Sequence, residues 1–178
     1  IKFDEKDFEK EHQKHQKLSQ TASKGKFKSG LADHSEKTTR LHTAAHLLLA
    51  ALRKVLKENI SQKGSNINSE RLRFDFTFSR KLTDKEKKEI EDLVNKQIER
   101  ELTITREEMS LDQAKKSGAL GAFENKYGEI VSIYTVGDFS KEICTGPHVK
   151  NTKEIGKFKI QKEESSSSGV RRIKAIVE

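Results

Sequence analysis

Apolar residues recur at helical spacing between positions 41 and 56. Leu41, Ala44, Ala45, Leu48, Leu49, Leu52, Val55 and Leu56 step along the chain by threes and fours, as one face of an α-helix requires. Ser35 or Thr38 can cap its start, and the pattern gives out near Glu58. I-S-Q-K-G-S-N-I then leads into R-L-R-F-D-F-T-F, where the period changes to two. Leu72, Phe74, Phe76 and Phe78 face one way and Arg71, Arg73, Asp75 and Thr77 the other, a half-buried strand. Thr83 with Glu86 has the capping-box spacing and opens a second helix running to about Glu101.

The remaining elements are shorter. Leu-Thr-Ile-Thr from 102 reads as a strand, and Ser110 to Ser117 as a helix closed by Gly118. Residues 129–136, 156–162 and 170–177 read as strands, with S-S-S-S-G between the last two as a flexible tip or a backbone-rich anion contact. Residues 4–22 are polar and free of Gly and Pro, which predicts a helix with only a thin apolar stripe (Phe8, His15, Leu18, Ala22). Residues 23–34, with two glycines, form a connector. The expected organisation is therefore an N-terminal helix and connector over 1–34 and one domain over 35–178. Strands outnumber helices and parallel crossovers are few, so the fold class is α+β with a mainly antiparallel sheet.

Composition narrows the setting. A length of 178 residues suits one domain, while 32% apolar against 36% charged residues leaves a modest core under a heavily charged surface. The longest apolar run, Ala44 to Leu52, is too short to span a bilayer. One cysteine excludes an intrachain disulfide framework and fits a reducing, cytoplasmic setting. The chain starts at Ile1 and its only methionine is Met109, so a piece of a longer polypeptide is expected. A net charge of +8 favours polyanionic partners through counterion release, and it equally describes a lysine-rich solvated surface.

The candidate chemistry lies in two short stretches. L-H-T-A-A-H puts His42 and His46 four residues apart on the predicted helix, one above the other on the same face. C-T-G-P-H puts Cys144 and His148 four apart in a loop bent by Gly146 and Pro147. Either pair alone has an ordinary explanation, since helix-face histidines and buried lone cysteines are common. Together they make a suitable set for Zn²⁺, either closed and four-coordinate or with one ligand replaced by water. Thr43 stands where a metalloprotease would carry its glutamate, which disfavours that chemistry. His12, His15 and His34 read as surface residues.

Read in order from about Ser35 to Ile176, H-T-A-A-H-L-L, Q-K-G-S, R-L-R-F-D-F, C-T-G-P-H-V and E-I-G-K-F-K-I-Q-K-E-E-S-S-S-S-G-V-R-R-I-K-A resemble the editing domain of alanyl-tRNA synthetase. The resemblance implies a two-layer α+β editing fold, zinc held by His42, His46, Cys144 and His148, and hydrolysis of mischarged aminoacyl-tRNA, with the rest of a synthetase chain and a mischarged alanine tRNA as partners. An alanine pocket cannot exclude glycine by size, and serine adds one hydroxyl. Selection of that kind is limited to roughly a hundredfold, so a second, hydrolytic sieve is needed. Zinc would either activate a water or hold the substrate while another water attacks.

By position, Gln62 resembles an editing-pocket glutamine and joins Cys144 as a catalytic candidate; the plainer reading is a loop side chain. Arg71, Arg73, Gly169, Arg171 and Arg172 are the tRNA-contact candidates. A solvated sheet face with cross-strand ion pairs explains Arg71 and Arg73 equally well. Arg171 and Arg172 must point to opposite faces of their strand, so one can meet the tRNA end while the other pairs internally. Two departures bear on serine against glycine: Thr145 replaces the glycine usual after the motif cysteine, and Ala45 replaces a hydroxyl residue before the second histidine. Thr43 lies two helical steps of about 100° away and cannot simply take over. The alternatives are a threonyl-type editing domain and a non-catalytic, zinc-stabilised tRNA-binding module.

Overall fold

The computed structural model describes residues 31–121 and 127–178, so the predicted helix over 4–22 lies outside the described residues. In chain order the elements are α1 (Glu36–Leu56), β1 (Gln62–Ile67), β2 (Leu72–Thr77), α2 (Asp84–Glu99), β3 (Ile104–Ser110), α3 (Leu111–Lys116) and β4 (Leu120–Gly121). Then come β5 (Ile130–Val136), β6 (Ser140–Ile143), a 3-10 turn (Thr152–Ile155), β7 (Phe158–Ser167) and β8 (Val170–Val177). The class is α+β. The strands form two four-stranded sheets, β1-β2-β8-β7 and β3-β5-β6-β4, antiparallel throughout except where β4 meets β6.

Local chemistry explains where the helices begin. The Ser35 side chain accepts the Thr38 N–H at the head of α1. Thr83 and Glu86 close a reciprocal capping box on α2, and Ser110 and Gln113 do the same on α3. Helix α1 is more deeply placed than a one-sided amphipathic pattern predicts. Every residue from Leu41 to Leu52 is buried, because α1 packs on α2 and the first sheet while also touching β6 of the second. The first sheet contributes Phe74, Phe76 and Phe158, all fully buried. Each such ring stabilises by roughly 1.5–3 kcal/mol on transfer from water.

Three strand assignments differ from the sequence pattern. Q-K-G-S-N-I, read as a link, is the edge strand β1, whose ladder to β2 supplies the order that its polar residues do not signal. β6 has only four residues, too few for a period to register. β7 continues through Ser167, which reduces the serine tip to a two-residue turn, Ser168–Gly169, with Gly169 at φ +68°.

Among the described residues, no helix is long and apolar enough to cross a membrane.

Candidate metal centre

Helix α1 and the loop after β6 bring four side chains to one point. His42 and His46 come from successive turns of α1, Cys144 follows the last residue of β6, and His148 ends the C-T-G-P-H loop. One donor atom from each lies within 4.8 Å of every other. The His42 and His148 rings stack at 4.3 Å between centroids, and His46 meets His148 edge-on at 4.4 Å. The Cys144 Sγ is 3.4 Å from His42 Nε2. The two helix histidines are buried, whereas Cys144 and His148 keep partial exposure on the loop side.

The backbone makes this convergence possible at Gly146. A Cβ there would sit 2.4 Å from His42 Cε1, so any larger residue would push the imidazole out of place. Pro147 then presents its carbonyl oxygen 2.9 Å from His42 Nδ1. A carbonyl can only accept, so Nδ1 carries the proton and Nε2 is left with its lone pair toward Cys144. The Thr145 side chain, where the sequence departs from the family pattern, is exposed.

Burial sets the charge states of the metal-free cluster. It lowers His42 to about 3, with His46 adding repulsion, and lowers His46 to about 4. Burial likewise takes His148 well below its ordinary value, so all three imidazoles are neutral at pH 7, the form that binds metals. The Cys144 thiol is pushed up to about 11 by the same cause, and a cation beside it would reverse that preference. Two buried nitrogens, His148 Nε2 and His46 Nδ1, have no hydrogen-bond partner. Three neutral imidazoles, one thiol and an orphaned ring nitrogen at the shared point fit a thiophilic divalent ion of zinc's type.

The sequence comparisons point the same way. Residues 131–174 match the model of the threonyl and alanyl tRNA synthetase second additional domain. The chain is 55% identical over 172 residues to the alanine--tRNA ligase of Treponema denticola, an alignment covering 97% of this chain and 29% of that protein. It is 53% identical over 175 residues to the enzyme of the same name from Borreliella afzelii, covering 98% and 30%. The chain belongs to the threonyl and alanyl tRNA synthetase second additional domain family. This second additional domain spans less than a third of the length of the ligases just named.

The other site candidates of the second additional domain lie on the first sheet. Gln62, Phe76 and Arg171 are neighbours in one row across β1, β2 and β8, so Gln62 and Arg171 share the face that carries the buried phenylalanines. Arg171 is paired there with Glu163, whose side chain is fully buried. Arg172 turns to the outer face and grips Asp75 with two hydrogen bonds of 2.6 and 2.7 Å. Arg73 lies on that outer face opposite Lys174, while Arg71 sits just before β2, its guanidinium donating to the Asn66 carbonyl oxygen at 3.4 Å. Gly169 is exposed at the turn.

Two polar residues to which the sequence gave no site role sit against the centre. Thr43, fully buried, is 3.2 Å from His148 Nδ1. Glu142, two residues before Cys144 on the same face of β6, brings Oε2 to 3.9 Å from His46 Nδ1 and accepts a hydrogen bond from Ser140 at 2.9 Å. Burial raises the Glu142 carboxyl to about 8. The signal for Glu142 was its spacing of two from the cysteine, readable only once β6 is known to be a strand.

Proposed function

We propose that this domain is the proofreading part of an alanine--tRNA ligase, a zinc-dependent deacylase that cleaves the ester of seryl- or glycyl-tRNA made on alanine tRNA. The observation that carries the reading is the meeting of His42, His46, Cys144 and His148 within 4.8 Å on a chain whose relatives bear that ligase name. Those four residues would hold the ion. When bound, zinc supplies Lewis-acid polarisation and a fixed positive charge beside the ester.

The chain's own groups do the rest. Gln62, on edge strand β1, is assigned to the substrate end, which its amide can meet as donor and acceptor. Arg71, Arg73, Gly169, Arg171 and Arg172 are assigned to the tRNA terminus, Arg71 and Arg73 through phosphate and the glycine through its bare backbone, while Arg171 and Arg172 already pair with Glu163 and Asp75. Cys144 would hold the ion through its sulfur. The remainder of the synthetase chain and mischarged alanine tRNA are the partners in this reading.

A second reading draws on the same geometry. Four protein ligands fill a tetrahedral ion, which favours a positioning or structural role for it and leaves a non-catalytic tRNA-binding module as the competitor. The test is a deacylation time course with metal analysis, using seryl- and glycyl-tRNA on alanine tRNA. Amino-acid release, abolished by Cys144→Ala in a folded protein, is expected. Stoichiometric zinc without turnover favours the binding module. Release of serine from threonine tRNA, with alanine tRNA spared, moves the assignment to the threonyl branch.

A further inference from the structure

The hydroxyl of Thr43 is shared among three groups, and the sharing has one self-consistent solution. Thr43 Oγ1 lies 3.1 Å from the Thr39 carbonyl oxygen, 3.2 Å from the Val149 backbone nitrogen and 3.2 Å from His148 Nδ1. A hydroxyl has one proton and two lone pairs. The Thr39 carbonyl can only accept, so it takes the proton. The Val149 N–H can only donate, so it takes one lone pair. The second lone pair remains for His148, whose Nδ1 must then carry its ring proton. Were the hydroxyl proton aimed at Nδ1 instead, the ring proton would sit on Nε2, and Nε2 is buried with no acceptor. A buried unmet donor costs about 1–3 kcal/mol, which selects the first arrangement.

We propose that Thr43 is a positioning residue that holds His148 as its Nδ1–H tautomer and so presents the Nε2 lone pair to the shared point. The inference rests on the metal reading above and adds what prepares its fourth ligand. Thr43 thereby ties the helix pair to the loop pair, because Val149 and His148 both belong to the loop side and Thr43 sits between His42 and His46. The residue in the place of a protease glutamate thus acts on a metal ligand.

The tautomer is measurable directly. In metal-free protein with ¹⁵N-labelled histidine, long-range proton–nitrogen correlations should show His148 as the Nδ1–H form. Zinc affinity, read by competition with a chromophoric chelator, should fall ~10–100-fold in Thr43→Val, the loss typical when a ligand's outer partner is removed. Thr43→Ser keeps the hydroxyl and should keep both the tautomer and the affinity, which a purely space-filling role for the methyl group would not allow. An Nε2–H tautomer in the unaltered chain overturns the proposal, even if the valine variant fails to fold. So does a folded Thr43→Val with unaltered affinity and tautomer. An Nδ1–H His148 in a chain that takes up no zinc overturns the metal reading and leaves the tautomer assignment standing.

Discussion

The two sheets of this domain are held by different means. The first, β1-β2-β8-β7, closes over the aromatic side chains of β2 and the flank of α1, with Phe74 and Phe76 stacked at 6.5 Å between ring centroids. The second, β3-β5-β6-β4, has a small core of its own made from Ala114, Ala119, Val131, Ile133 and Ile143. Val136 and Phe139 of this sheet's β5–β6 hairpin and Val149 of the following loop also join the main core with α1, and beside them lies a polar seam: the Cys144–His148 loop, the Thr43 contacts, and Glu142 facing His46. The second region's seam with α1 is occupied by buried nitrogens and a thiol, groups that cost free energy unless something pairs with them. The candidate metal centre sits in that polar seam, at the edge of the main core, and an ion there would join the halves.

The largest effect should come from the first sheet. Phe74→Ala removes a fully buried ring and is expected to cost about 3–5 kcal/mol, with whole-domain unfolding at a lower denaturant midpoint. Ile133→Ala in the second sheet should cost about 2–3 kcal/mol, toward the low end for such truncations, because its cluster is small. Equal losses at the two positions would break the contrast.

Metal removal should act next, and locally. At free zinc 100–1,000 times its dissociation constant, binding contributes about 3–4 kcal/mol, which a chelator would remove. Hydrogen exchange after chelation should rise in β6 and residues 144–149, while β2 and β8 stay protected. Loss of protection across both sheets together would mean that the seam does not divide them.

Acid should act only on metal-free protein. His42 and His46 fall from 6.5 to about 3 and about 4 on burial. The unfolded chain therefore binds the extra protons first, and stability is lost as pH falls from about 6.5 toward 4. Glu142 runs the other way. Its folded value of about 8 lies above 4.5, so its contribution is present below 4.5 and is lost as pH rises through 8. With three lowered histidines against one raised carboxyl, the acid limb should dominate below pH 6.5 in a thermal melt series. Glu142→Gln should remove the loss toward pH 8 and leave the acid limb in place.

Much of this was legible along the chain. The helical period over 41–56, the strict alternation of R-L-R-F-D-F-T-F and the Thr83–Glu86 box all report nearest-neighbour chemistry, and each became the element it predicts. The i, i+4 spacing of His42 and His46 is likewise local. Edge strand β1 was not legible, because a strand made of Lys, Gly, Ser and Asn owes its form to the partner that hydrogen-bonds it. The same holds for four-residue β6, and with it for Glu142.

Residue order alone determined which side chains lie on a common face of a helix or strand, since backbone geometry repeats every 3.6 or 2 residues whatever surrounds it. Only the tertiary structure decided that α1 is covered on all sides, that Arg171 meets Glu163 while Arg172 meets Asp75, and that Gly146 leaves room for His42. The Arg172–Asp75 and Gly146–His42 contacts join residues about a hundred positions apart, and chain closure over that distance is governed by packing of the whole domain.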